Sequence, residues 1–204
     1  MVLGEYHDNP SHHQIQADFA ARMQPRALVF EMLTAAQAKR AAGVSHGDMQ
    51  PLETALGWQG SGWSSFEHYF PFFAAAPEAA VFGAAVPRAQ ARLALNAGLV
   101  DSFGPEAARF GLAEPLPEHE QTARQAVQMA AHCDALPVQM LPGMVDIQRL
   151  RDGRLAQSAL NGGPVAVITG NGHARTDWGL ALCSARRPLC DALRLWPDRG
   201  RGAA

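Results

Sequence analysis

The chain has 204 residues, enough for one domain with an ordinary core, and its 48% hydrophobic and 18% charged residues fit a soluble globular protein. A net charge of −2 supplies no basic field, which argues against nucleic acid as a partner. Three cysteines, Cys133, Cys183 and Cys190, are too few and too irregular for a disulfide framework or a zinc ribbon, and no apolar run reaches the roughly eighteen residues that span a bilayer. The start of the chain has no charged n-region, apolar h-region or cleavage site, so no signal peptide is expected within it; localisation is left open.

In chain order, Met1-Val2-Leu3 reads as the end of a buried strand that stops at Gly4. Asn9-Pro10 reads as an N-cap followed by proline in the first turn, which predicts a helix over about 11–23, closed by Pro25. Ala27 to Phe30 is a second buried strand with Glu31 at its carboxyl end, followed by a helical stretch to about Ala42. Residues 43–64, rich in Gly, Ser and Gln, read as an excursion from the core. The run "WSSFEHYFPFF" has Trp63, Phe66, Phe70 and Phe73 at helical spacing, with a kink expected near Pro71. Ala80 to Val86 is a third strand candidate ending at Pro87-Arg88. Helices are expected over about 90–97, 118–133 and 140–160, and Val165 to Thr169 forms the clearest strand.

Strands separated by helical runs predict an α/β fold, a largely parallel central sheet flanked by helices. The expected organisation is a single domain over 1–204, with helical or loop insertions at 43–75 and 105–160 forming a helical subdomain. An irregular tail is expected over 181–204.

Two of the strands end alike, in Gly4-Glu5-Tyr6-His7 and Gly170-Asn171-Gly172-His173. In open parallel sheets ligands lie beyond the carboxyl ends of the strands, and glycine there lets the backbone approach closely. Glu5, His7, Glu31, Arg88 and His173 all follow predicted strands and should share one rim. Each Gly-x-x-His is a common pattern alone; two of them after strands, with an acid after a third, point to a site. Two histidines and two carboxylates suit a divalent metal, held by His7, His173 and Glu5, or a general base beside it. Of His12 and His13, neighbours on one helix, at most one can face that rim. No C-x-x-C-H haem-attachment signal and no G-x-S-x-G elbow occurs. Seven of fifteen aromatic residues fall within 58–73. They suit a helix packed on its own core, or equally a flat apolar ligand or a subunit partner.

Taken together, "LGEYHDNPSHHQIQ", "VFEML", "FEHYFPFF", "VPR", "QRLRD" and "ITGNGHARTDWG" resemble, in this order from about residue 2 to 179, the ChaN-like family of bacterial haem-binding, iron-regulated proteins. The resemblance implies an α/β core with a helical subdomain, haem binding linked to iron acquisition, and a homodimer around stacked haems. Members are often lipoproteins attached to a membrane or periplasmic; this chain carries no lipobox cysteine, and where relatives often have Asp-Tyr-Gly it has Asp177-Trp178-Gly179. Tyrosine is the iron ligand the family implies. Within the aromatic run Tyr69 is the first candidate and His68 the second, with Arg88 or His132 reaching the propionates. The family is also distantly similar to hydrolases marked by two Gly-x-x-His motifs. That likeness keeps open a metal-dependent hydrolase using Glu5, His7, Glu31 and His173, and a non-catalytic interaction domain is a third reading.

Overall fold

The structure, a computed structural model, describes residues 1–160 and 163–180; the tail expected to be irregular lies outside them. Four strands, β1 (Val2–Glu5), β2 (Ala27–Phe30), β3 (Ala80–Gly83) and β4 (Val165–Gly170), form one sheet in the order β1-β4-β2-β3, with every pairing parallel. The α/β expectation therefore holds. β2 and β4 are buried at every position because both occupy the middle of the sheet with helices on each face. β1 alternates and β3 is partly open, as befits the two edges.

Side-chain alternation divides the core into two layers. Leu28, Phe30, Ala166 and Ile168 point to one face and join residues of α1 (Pro10–Met23), α3 (Met49–Leu56) and α4 (Phe66–Ala75). Ala27, Val29, Val165 and Val167 point to the other and join α5 (Arg88–Ala97), α6 (Leu99–Phe103) and α8 (Leu141–Ala159). The chain lays β1, β2 and β3 down on one side, then returns by the opposite face to insert β4 between β1 and β2. That reversal is a topological switch point, and the crevice beyond it is bounded by the carboxyl ends of β1, β4 and β2.

Local chemistry accounts for the boundaries. The Asn9 side chain accepts from the Ser11 N–H at 3.0 Å, Pro10 opens α1, and Gln24 ends it in the left-handed region at φ 50°. Thr34 and Gln37 form a reciprocal capping box on α2 (Ala35–Arg40). β3 stops at Gly83 rather than Val86, because its partner β2 ends opposite at Phe30. The 43–64 stretch, expected to leave the core, does not. It contains α3, and Leu52, Leu56 and Trp58 are buried under α4. The stretch 105–160 holds α7 (Glu118–Ala131) and α8, and α7 packs on α8 outside the second core layer. Among the described residues no helix is long and apolar enough to cross a membrane.

The two strand-ending glycines interlock. A Cβ at Gly4 would lie 2.6 Å from Asn171 Oδ1 and 2.8 Å from the Cβ of Ala174, both in the loop after β4. A Cβ at Gly170 would lie 2.9 Å from His7 Nε2, in the loop after β1. Each loop thus occupies the space that the other strand's missing side chain leaves. Gly4→Ala is expected to destabilise the fold by about 1–3 kcal/mol through overpacking, read as a lower urea midpoint with unchanged m-value. An unaltered midpoint would mean the two loops are not packed in this way.

Candidate functional site

At the strand ends the sequence supplies acids and histidines in alternation, and the fold brings them into one hydrogen-bonded row. Glu31, the residue after β2, accepts from the Thr169 hydroxyl at 2.7 Å and the Gly170 N–H at 2.8 Å, so β4 holds its carboxylate across the crevice. His173, buried in the loop after β4, places Nε2 3.4 Å from Glu31 Oε1 and donates from Nδ1 to Asp152 Oδ1 at 2.6 Å. Asp152 comes from α8, so the imidazole bridges a strand end to a helix of the second layer. The Gln148 amide nitrogen lies 3.2 Å from each ring nitrogen.

Burial alone would drive these groups neutral, but for His173 and Glu31 the pairing overrides it. Desolvation pulls the His173 pKa down, yet hydrogen bonds and charge from Asp152 and Glu31 outweigh it and raise the value from 6.5 to about 10. Desolvation likewise opposes ionisation of Glu31, but His173, the Gly170 N–H and the Thr169 hydroxyl hold its carboxylate far below the ordinary range. Burial raises Asp152, partly offset by His173 and Arg124. Arg124 of α7 stands 3.9 Å from Asp152, binds Glu120 at 2.6 Å, and lies with its guanidinium 5.4 Å from the Trp178 ring centre. Arg175 covers the same ring at 4.0 Å. The His173 imidazole sits between the Glu31 and Asp152 carboxyl groups in the interior.

The β1 loop adds a second group. His7 donates from Nδ1 to Glu5 Oε1 at 2.8 Å, and its Nε2 stands 3.8 Å from Glu31 Oε2. The Tyr69 hydroxyl donates to the same Glu5 oxygen at 3.0 Å, and His13 Nε2 lies 3.4 Å from it. Burial raises Glu5, but hydrogen bonds and charge from His13 and His7 bring its net value below the ordinary one. Burial opposes the charge of His7, but Glu5 and Glu31 raise it overall. Glu5 Oε2 has no hydrogen-bond partner among the described residues, although the residue is 1% exposed. Ser64 fixes the loop by donating to the His7 carbonyl at 2.8 Å.

A model of the family described as haem-binding uptake, Tiki superfamily, ChaN matches residues 1–183. The chain belongs to this family. A solved structure, "Cofacial heme binding to ChaN of Campylobacter jejuni", is similar with a TM-score of 0.66 and 18% identity, over 91% of this chain and 75% of that one. At that identity the likeness establishes the shared fold. No curated protein matches this chain.

In this ChaN-family chain Glu5, His7, Glu31 and His173 do converge on one rim, and of the adjacent histidines it is His13 that joins them. As a metal centre the set falls short. Among the described residues no group of three or more His, Cys, Asp and Glu side chains could hold an ion, and both His173 nitrogens are occupied by carboxylates. Arg88 starts α5 beyond the β3 edge, exposed and outside the cluster. The fold disperses the residues expected in sequence to contact haem. Tyr69 is 0% exposed, its hydroxyl is engaged by Glu5, and burial followed by the Glu5 charge raises its pKa steeply, so it offers no ligand to an exposed macrocycle. Phe66, Phe72 and Phe73 are core beside it rather than a wall. His68, half-buried, stacks on His13 with ring centres 5.7 Å apart. His132 caps α7, exposed, with Nδ1 2.8 Å from the Gln128 carbonyl. Arg88 opens α5 of the second layer, His132 ends α7 packed outside that layer on α8, and α4 belongs to the first layer.

Asp152, Gln148, Thr169 and Arg124 were missed. Asp152 had a readable signal. Leu141, Val145, Arg149, Asp152 and Ala156 recur at helical spacing on the buried stripe of α8, and two charged residues on such a stripe require partners. Thr169 and Gln148 carry no comparable mark.

His173→Gln removes the cation shared by two buried carboxyl groups and is expected to cost about 3–5 kcal/mol. The stability from the raised His173 is complete below its ordinary value of 6.5 and is lost as pH climbs through about 10. That from the depressed Glu31 is complete above its ordinary value of 4.5 and fades on acidification. Urea midpoints of wild type and variant should therefore differ most between pH 4.5 and 6.5 and converge towards pH 10. A gap that widens on going alkaline would overturn the charge assignment.

Proposed function

We propose that this chain binds haem in haem or iron uptake, and that two subunits close over the bound haems. The family match across residues 1–183 carries this reading. Physical chemistry supports the second part. A flat apolar ligand on an exposed surface leaves one face in water, and a second copy covers that face at the lowest cost in exposed area. The ChaN structure named above is a precedent for cofacial binding in that protein. Exposed Ile15 and Phe19 on α1 give the described surface apolar area, which supports this reading. Titration of the purified protein with haemin should give saturable growth of a Soret band, and sedimentation velocity should show the dimer forming as sites fill. No saturable binding at micromolar haemin would end this reading; saturable binding by a protein that stays monomeric would remove only the shared site.

One observation favours a second reading, hydrolysis at the strand-end cluster. His7 is the one member with substantial access to solvent, its side chain 30% exposed. Its Nδ1–H is held by a carboxylate, which orients Nε2 as a base for water in the manner of other oriented histidines. The unpartnered Glu5 Oε2 lies beside it. Water activation by His7, rather than a metal held by Glu5, His7 and His173, is the form of this reading that the geometry supports. Any esterase or peptidase activity should rise with pH through a value above 6.5, as the raised His7 loses its proton, and vanish in His7→Ala. Turnover surviving that substitution would dismiss the role.

A further inference from the structure

Among the described residues, five buried side-chain atoms that form hydrogen bonds have no such partner: Glu5 Oε2, both ring nitrogens of His13, Gln16 Oε1 and His68 Nδ1. All five share one seam. Glu5 ends β1, His13 and Gln16 stand one turn apart on the buried stripe of α1, and His68 stacks against His13 from α4. Glu5 and His13 are each 1% exposed and Gln16 4%. Buried polar groups are ordinarily satisfied by protein or by enclosed water, because an unpaired one has lost its hydration without compensation. Orphans gathered in one seam between two packed helices therefore call for a shared partner.

The contacts around Glu5 show which groups connect to that partner. Glu5 Oε1 receives the His7 Nδ1–H at 2.8 Å and the Tyr69 hydroxyl at 3.0 Å, while His13 Nε2 stands farther off at 3.4 Å. Tyr69 is a dead end for a proton, since burial and then the Glu5 charge raise its pKa. Gln16 is held by its Nε2 on the Leu3 carbonyl at 2.9 Å, which turns Oε1 into an acceptor only. His13 differs from both: a neutral imidazole accepts at one nitrogen and donates at the other. Its ring and that of His68 are nearly parallel, at 14°, with centres 5.7 Å apart. Two hydrogen bonds of about 2.8–3.0 Å each through one water oxygen span such a gap. The rings of Tyr69 and Phe72, 4.5 and 6.3 Å from His13, separate the seam from bulk solvent. His68 is half-buried, so the row that starts at His7 on the rim reaches the surface again on α4.

We infer that enclosed water between α1 and α4, held by Glu5 Oε2, His13 and His68 Nδ1, gives the strand-end cluster a second proton route to solvent, along Glu5, His13 and His68. The site itself stands on the orphaned atoms; its use in turnover rests on the hydrolysis reading above. In that use His7 takes a proton from the attacking water at Nε2 and releases its Nδ1 proton to Glu5. Glu5 passes one to His13 Nε2, His13 releases one from Nδ1 to the enclosed water, and the water hands one to His68 for release outside. Each group gives one proton for each it receives, and nothing is oxidised or reduced. A substrate lying over His7 then leaves the base able to discharge inward.

Nuclear magnetic resonance on the imidazole-labelled full chain, without substrate, tests both parts. Water-selective Overhauser spectra should show a long-lived water at the ring C–H protons of His13 and His68. The His7 Nδ1–H should exchange with solvent at least about tenfold more slowly in His13→Phe and in His68→Phe, where only the rim route is left. Proton–nitrogen correlation spectra confirm that the variants fold; should the buried His13→Phe fail, the half-buried His68→Phe carries the test. No long-lived water at either ring would overturn the site. Unchanged His7 exchange in a folded His68→Phe would overturn the route. Because both signals are read without substrate, they stand or fall separately from turnover and from its loss in His7→Ala.

Discussion

The arrangement depends on one buried ion triad, the His173 imidazolium between Glu31 and Asp152. It ties a strand of the sheet centre, the loop after its neighbour and a helix of the second layer through a single ring. Taking three such groups out of water is costly, and only close geometry compensates. The distances of 2.6 Å to Asp152 and 3.4 Å to Glu31, with further donors from Thr169 and Gly170, supply that geometry. Because β4 is inserted last between β1 and β2, the triad also fixes where that strand ends and therefore where the β1 loop can pack.

From the triad outward, polarity is graded. His7 is the solvent-facing member, bound on one side to Glu5 and near Glu31 on the other. Behind Glu5 the hydroxyl of Tyr69 and the ring of His13 continue the polar row into the aromatic layer of α4. The polar cluster and the apolar stripe of α1 are therefore separate features that share the β1 loop. Residues 5 and 7 serve the interior, and residue 6 faces out.

Much of this was legible in the sequence where the chemistry is local. The strands at 27–30 and 165–170 announce themselves as apolar runs because they lie in the middle of the sheet, and Asn9-Pro10 marks the start of α1 because a cap and a proline act within one turn. The shared rim of Glu5, Glu31, His7 and His173 followed from parallel topology. What local patterns left open depended on tertiary partners. Tyr69 lies in a run of aromatics that suits a core helix and a flat ligand equally, and the position of Glu5, 64 residues away, makes it a buried donor. The stretch 43–64 reads as loop because its glycines and serines outnumber Leu52, Leu56 and Trp58, yet those three bury fully or nearly so. Arg88 and His132 carry hydrogen-bond donors that suit a propionate, but the face of the sheet on which a helix lands is set by the order of strands, which no local pattern encodes.

The protonation state of His173 tests the central claim most directly. In nitrogen-15 and carbon-13 NMR spectra of imidazole-labelled protein at pH 8, this ring should be a cation with both nitrogens protonated, although an ordinary imidazole, titrating at 6.5, would be neutral there. The histidinium signals should persist until pH approaches about 10. A single neutral tautomer for His173 at pH 8 would contradict the ion triad, and with it the account of what holds the strand ends together.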